Sequence, residues 1–76
     1  MPANFLAQDW MSRDGRLRTL TGVHRAGDGV DYQVVDGGRP DVIHESEQLV
    51  LRTIRISGVR LTGAELRDGS VYYTLA

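Results

Sequence analysis

The sequence has 76 residues, of which 41% are hydrophobic and 25% are charged. This composition is typical of one small globular domain over residues 1–76, and it argues against a membrane span or a disordered tail. Nine basic and ten acidic residues leave a formal charge of −1. So small a charge disfavours general attraction to nucleic acid or to anionic lipid.

The chain contains no cysteine, and all nine basic residues are arginine. These two facts exclude disulfide scaffolds, thiolate metal sites, cysteine nucleophiles, Schiff-base lysines and phosphate-loop lysines. The first residues lack the basic and apolar pattern of a signal peptide, so we expect an intracellular, cytoplasmic location with no membrane contact. A core of this size contributes only a few kcal/mol, to which a homodimer would add.

The first segments are read as one helical turn followed by strands. Asn4–Met11 is expected to form a short helical turn over one end of a sheet, capped by Asn4. Arg16–Arg25 is a candidate strand, and in Val30–Val34 the apolar residues alternate cleanly along one face. A loop at Gly37–Pro40 then leads to a short segment, Asp41–His44, which its proline keeps off a central sheet position.

Tight turns are indicated by Asp-Gly dipeptides, because glycine accepts and aspartate tolerates the positive φ that such turns require. Four of them in so short a chain predict an antiparallel β-meander. They are Asp14-Gly15, Asp28-Gly29, Asp36-Gly37 and Asp68-Gly69.

The last third of the chain predicts two hairpins. One turns at Ser57-Gly58 and would set Arg55 opposite Arg60 on an exposed face. The other turns at Asp68-Gly69 and pairs Leu66 with Val71, Ala64 with Tyr73 and Glu65 with Tyr72. A β-bulge at Gly63 is needed to bring Leu61 and Ala64 onto one face.

Residues 46–57 allow two interpretations. A helix would have Ser46 as its N-cap and Gly58 near its C-terminal cap. The β-branched side chains in the segment favour a strand instead, from about Leu51 onward, after a turn at Glu45–Gln48. We take the strand as the prediction.

Together these elements predict a mainly β fold. Its most economical form is a small antiparallel meander or partly open barrel of five or six short strands, with a short N-terminal helical turn. The alternative is an α+β roll, with one helix at about 46–57 on a four-stranded antiparallel sheet.

No residue pattern indicates catalysis. The two histidines, His24 and His44, lack metal-ligand spacing, and His44-Glu45 would need a third ligand from elsewhere in the fold. Gly27-Asp28-Gly29 is not followed by a helical pattern, so it does not predict a phosphate site. We therefore expect no enzyme, no metal and no cofactor.

The sequence instead suggests a binding surface of arginine and tyrosine, residues that are enriched in protein interfaces. We expect it to bind a protein partner; the alternative is a small barrel that binds nucleic acid, with the tyrosine as a stacking platform. A second candidate surface lies around Trp10, with Phe5 and Met11. The predicted partner-binding residues are Arg52, Arg55, Arg60, Arg67 and Tyr72.

Two resemblances point to mobile genetic elements. The segment Gly22–Leu49, with Tyr32-Gln33-Val34-Val35 and Val42-Ile43-His44-Glu45, resembles the KfrB-like β-domain of plasmid and mobile-element proteins. In size and class the chain also resembles the small inhibitors that phages direct against host defences, anti-CRISPR proteins among them. The second resemblance implies a non-enzymatic protein that inhibits a host protein complex.

Overall fold

The computed structural model describes residues 3–6 and 18–76. In this part of the chain the fold is mainly β, with two three-stranded antiparallel sheets and one short helix. Sheet A has the strand order β1-β6-β5 and sheet B the order β2-β3-β4. In chain order the elements are β1 (Ala3–Leu6), β2 (Arg18–Ala26), β3 (Gly29–Asp36), β4 (Arg39–Ser46), α1 (Glu47–Thr53), β5 (Leu61–Arg67) and β6 (Ser70–Leu75).

The two sheets meet where β2 lies beside β5, without closing into a barrel over the described residues. Arg25 on β2 ties them together, because its Nε donates to the carbonyl oxygen of Leu61 at 3.0 Å. The small antiparallel meander predicted from the sequence is confirmed, in this open form.

The core lies between the inner faces of the sheets and is completed by α1. The hydroxyls of Tyr32 on β3 and Tyr73 on β6 share a hydrogen bond across it. Burial raises the pKa of Tyr32, so this hydroxyl stays protonated. The buried residues of this cluster are Val23, Val30, Tyr32, Val50, Leu61, Val71, Tyr73 and Leu75.

Local sequence accounts for the hairpins. Asp68 and Gly69 form the β5–β6 turn with φ of 50° and 77°, as predicted, and the register Leu66–Val71 and Glu65–Tyr72 is confirmed. The predicted bulge is also present, since the β5 register shifts between Leu61 and Gly63.

The other two Asp-Gly dipeptides in the described part of the chain lie at observed turns. Each of these turns, however, is centred one residue away from its dipeptide. The central positions are Gly27-Asp28 and Gly37-Gly38. As a result β4 already begins at Arg39, where a loop was predicted. Its Pro40 lies on an edge strand of sheet B, which is the position open to proline. Asp14-Gly15 lies outside the described residues.

The N-terminal helical turn is wrong over the part that the structure describes. Ala3–Leu6 forms a strand that pairs with β6, Ala3 with Thr74 through Leu6 with Val71. Pairing with β6 gives this backbone a ladder of partners, whereas an isolated helical turn carries the unfavourable free energy of helix nucleation. Residues 7–11 of the predicted turn lie outside the described residues.

The strand predicted from Leu51 is also wrong, because Glu47–Thr53 is a helix. Ser46 caps it: its Oγ accepts a hydrogen bond from the Leu49 N–H at 3.2 Å. Val50 anchors it in the core with 1% of its surface exposed. The cap and this burial outweigh the strand preference of the β-branched residues. The helix alternative was therefore right about Ser46, although the sheet beneath is not four-stranded.

No helix in the part of the chain that the structure describes is both long and apolar enough to cross a membrane.

Candidate functional site

The five predicted partner-binding residues do not form one surface. Arg52 lies in the last turn of α1 and Arg55 just beyond it, whereas Arg60 precedes β5. Arg67 and Tyr72 lie on the β5–β6 hairpin. The predicted Arg55–Arg60 pair on a hairpin is wrong, because Ser57-Gly58 belongs to the irregular connection between α1 and β5.

Arg67 and Tyr72 interact with each other. The Arg67 guanidinium carbon lies 4.2 Å from the centroid of the Tyr72 ring, a cation–π distance. Its Nη2 also donates to Glu65 Oε1 at 3.3 Å. One face of the ring that was predicted to stack on a base is therefore covered by arginine.

Arg60 links the connection between α1 and β5 to the first residue of the helix. Its Nε and Nη2 donate to the two carboxylate oxygens of Glu47 at 2.8 and 3.1 Å. The same carboxylate accepts the Leu61 N–H at 2.7 Å. Together these donors lower the pKa of Glu47 to about 2, and the carboxylate raises the pKa of Arg60. Arg60 is thus held in place by the fold.

Arg52 and Arg55 differ from the other three residues. Both are exposed, and neither takes part in any ion pair found among residues 18–76. They flank an open cleft of about 510 Å³ at the end of α1. Leu51 and Ile56 supply its apolar lining, and its remaining lining residues are Gln48, Ser57 and Gly58.

The backbone conformation of Arg55 places its side chain at this cleft. The Arg55 N–H donates to Arg52 O at 3.1 Å, and the Ile56 N–H donates to Leu51 O at 2.9 Å. These two bonds are those of a Schellman motif, in which the first residue after the cap adopts a left-handed conformation. Arg55 occupies that position with φ of 60°.

Glycine is the residue usually found there, because a side chain in the left-handed region costs about 1 kcal/mol. An exposed arginine in this conformation is therefore a backbone outlier. Outliers of this kind cluster at functional sites.

A second polar cluster lies on the outer face of sheet B, around His44. Its Nδ1 is 2.6 Å from Asp31 Oδ1 and its Nε2 is 2.9 Å from Asp28 Oδ1. No local sequence pattern predicts these partners, since the β3–β4 pairing is what brings them beside His44. Glu45 lies on the opposite, buried face of the strand, so the two halves of the predicted His44-Glu45 pair point apart.

Among the residues that the structure describes, no group of three potential metal ligands is arranged to hold an ion. Trp10 and Met11, from the second candidate surface, lie outside those residues, and of Phe5 only the backbone is described.

No protein-family model matches the sequence, and the searches of curated proteins and of solved structures found no significant match. The KfrB-like resemblance of Gly22–Leu49 is therefore not supported by a family match.

Proposed function

We propose that this protein is a non-enzymatic protein-binding module, and that its contact surface is the cleft at the end of α1. The observation that carries the proposal is the pair of exposed arginines, Arg52 and Arg55, which flank an apolar cleft without a carboxylate partner in residues 18–76. Arginine forks bind carboxylates in two parallel hydrogen bonds, and arginine is enriched at interface centres.

The chemistry of the cleft favours an acidic partner segment that also carries an apolar residue. Among the residues that the structure describes, two guanidinium groups and no acidic group line the cleft, and Leu51 and Ile56 supply its apolar surface. A carboxylate pair on the partner would meet the arginines while an aliphatic or aromatic side chain enters the cleft. Burial of that side chain contributes about 1.5–3 kcal/mol.

The predicted role of the other three residues is narrower in this proposal. Arg60 holds Glu47, so we assign Arg60 to positioning. Arg67 covers Tyr72 on the β5–β6 hairpin, so we leave these two residues outside the contact surface. A module of this kind would inhibit a host complex by occupying one of its surfaces. The mobile-element origin and the cytoplasmic location stay predictions from the sequence.

The test is a comparison of two double variants with equal changes of charge. Arg52→Glu/Arg55→Glu reverses the cleft, and Arg39→Glu/Arg67→Glu reverses two other exposed arginines. Each protein is immobilised, exposed to nuclease-treated host lysate, and the retained proteins are identified by mass spectrometry. The affinity of each retained protein, once purified, is then measured for all three forms.

We expect a protein that the wild type and the control variant retain and that the cleft variant loses, with at least a tenfold weaker affinity. The same retained proteins and affinities for all three forms would contradict the proposal. Retention of oligonucleotides in place of protein, with an affinity that falls steeply as salt rises, would favour the nucleic-acid alternative.

A further inference from the structure

Three ionisable side chains form a row across the outer face of sheet B. His24 on β2, Asp31 on β3 and His44 on β4 are register partners on neighbouring strands. His24 Nε2 lies 3.9 Å from Asp31 Oδ2, whereas His44 Nδ1 is 2.6 Å from Asp31 Oδ1. His44 is thus the histidine in direct hydrogen-bond contact.

Both ring nitrogens of His44 face carboxylate oxygens. The second contact runs from Nε2 to Asp28 Oδ1 at 2.9 Å. A neutral imidazole has one N–H, so it can donate to only one of these acceptors, whereas the imidazolium donates to both. The geometry is that of a protonated histidine bound between two carboxylates.

Asp28 connects this histidine to the start of α1. It lies in the β2–β3 turn, and its backbone oxygen accepts the Glu47 N–H at 2.9 Å. That N–H is one of the donors that a helix leaves without an intrahelical partner. Gly29, at the end of the turn, lies so close to the Glu45 carbonyl oxygen that a Cβ would be 1.9 Å from it. The turn is therefore packed against the β4–α1 junction.

We propose that His44 is a proton-dependent latch that holds the Gly27-Asp28 turn against the first residue of α1. While the imidazolium donates hydrogen bonds to Asp28 and Asp31, the Asp28 carbonyl oxygen in the turn accepts the Glu47 N–H. Loss of the proton removes one of the two side-chain hydrogen bonds and loosens the turn from the helix. This latch does not depend on the proposed partner surface.

The charges around His44 agree with this direction. The hydrogen bonds to Asp31 and then to Asp28 raise its pKa above the ordinary 6.5. The latch is therefore fully closed below about pH 6.5, and its contribution is lost as the pH rises through the raised, folded value.

The other charged groups on the strands and helix around His44 contact atoms other than the His44 ring. On β2, His24 Nε2 lies 3.9 Å from Asp31 Oδ2. The Arg25 guanidinium donates to the carbonyls of Gly27 and Gly29. On α1, the Glu47 carboxylate is held by Arg60. Among residues 18–76, Asp28 and Asp31 are thus the carboxylates that His44 contacts.

The experiment is an NMR titration of the whole protein between about pH 5 and pH 9. It follows the His44 ring and the backbone amides of Asp28 and Glu47. We expect the ring to titrate above 6.5, and both amides to shift with the same midpoint. His24→Gln, the matched control, keeps that midpoint at the amides.

In His44→Gln we expect the shared midpoint to disappear from both amides. In Asp28→Asn, which retains the histidine, we expect the midpoint of the His44 ring to move down towards 6.5. Should His44→Gln fail to fold, Asp28→Asn alone decides. Titration of His44 at or below 6.5, or a Glu47 amide that does not follow it, would overturn the latch.

Discussion

The β5–β6 hairpin and the connection from α1 to β5 each place a non-glycine residue at positive φ. In the hairpin it is Asp68, with φ of 50°, and in the connection it is Arg55, with φ of 60°. Aspartate tolerates this conformation and begins a two-residue turn followed by glycine. At Arg55 the helix end requires the positive φ, but glycine is the residue usually found at this position. The side chain of Arg55 supplies no comparable reason for the conformation.

The two regions also differ in what their arginines do. In the hairpin Arg67 lies over Tyr72 and contacts Glu65, so its charge is satisfied within the fold. Beyond α1, Arg55 faces a cleft without an ion-pair partner among residues 18–76. An exposed arginine in strained backbone geometry, with no ion-pair partner among residues 18–76, is consistent with the proposed binding role.

The largest expected effect tests whether α1 is anchored as the structure has it. Val50→Ala removes two methyl groups from a side chain that is 1% exposed, and should lower the free energy of unfolding by about 2 kcal/mol. Leu49→Ala, beside it but 38% exposed, should lower it by about 0.5 kcal/mol or less. Urea denaturation measures both, and equal losses would contradict the assigned helix face.

A smaller effect is expected at the helix cap. Ser46→Ala removes the acceptor of the Leu49 N–H and should lower the free energy of unfolding by about 1 kcal/mol. Ser57→Ala, in the exposed connection, is the control and should leave it nearly unchanged. If Ser46→Ala left the free energy of unfolding unchanged in the same denaturation experiment, the strand interpretation of this segment would be restored.

Replacing Arg55 by glycine should stabilise the protein slightly. The left-handed conformation costs an arginine about 1 kcal/mol, of which the greater entropy of glycine in the unfolded chain offsets about half. We expect a gain of about 0.5 kcal/mol, and a smaller one for Asp68→Gly. Arg55→Gly should nevertheless bind the partner more weakly, and a variant that loses stability would refute the assigned strain.

The smallest effect concerns the Glu47–Arg60 pair, in which the arginine is exposed and the carboxylate half-buried. Its partners hold the pKa of Glu47 at about 2, below the ordinary 4.5. The stabilisation is therefore present above about pH 4.5 and is lost as the pH falls towards 2. Thermal unfolding should show a steeper loss between these values in the wild type than in Glu47→Gln. Identical pH profiles would mean that the pair does not stabilise the closed connection.

The same contrast explains how much of the fold could be read from the sequence. The Asp68-Gly69 hairpin and the bulge at Gly63 depend on turn chemistry and alternation within a few residues, and both were predicted. Whether residues 46–57 form a helix depends on burial of Val50 in the core. That burial is a tertiary fact, so the intrinsic preference of the β-branched residues was misleading.

The candidate site was predicted in its residue types but not in its arrangement. Arg52 and Arg55 were chosen as members of an arginine face on a hairpin that does not form. The partners in the Glu47–Arg60 pair and in the contacts of His44 are 13 or more residues apart in the sequence. No local sequence pattern predicts such contacts. The positive φ of Arg55, the strongest indicator of the site, has no signature in the sequence.

The most direct test of the proposed surface maps it on the protein itself. Isotope-labelled protein is titrated with the partner recovered from the lysate experiment, and the backbone amide shifts are followed by NMR. We predict that the largest shifts fall between Gln48 and Gly58, while the hairpin amides from Arg67 to Tyr72 stay nearly unchanged. The largest shifts on the hairpin, with the end of α1 undisturbed, would contradict this account.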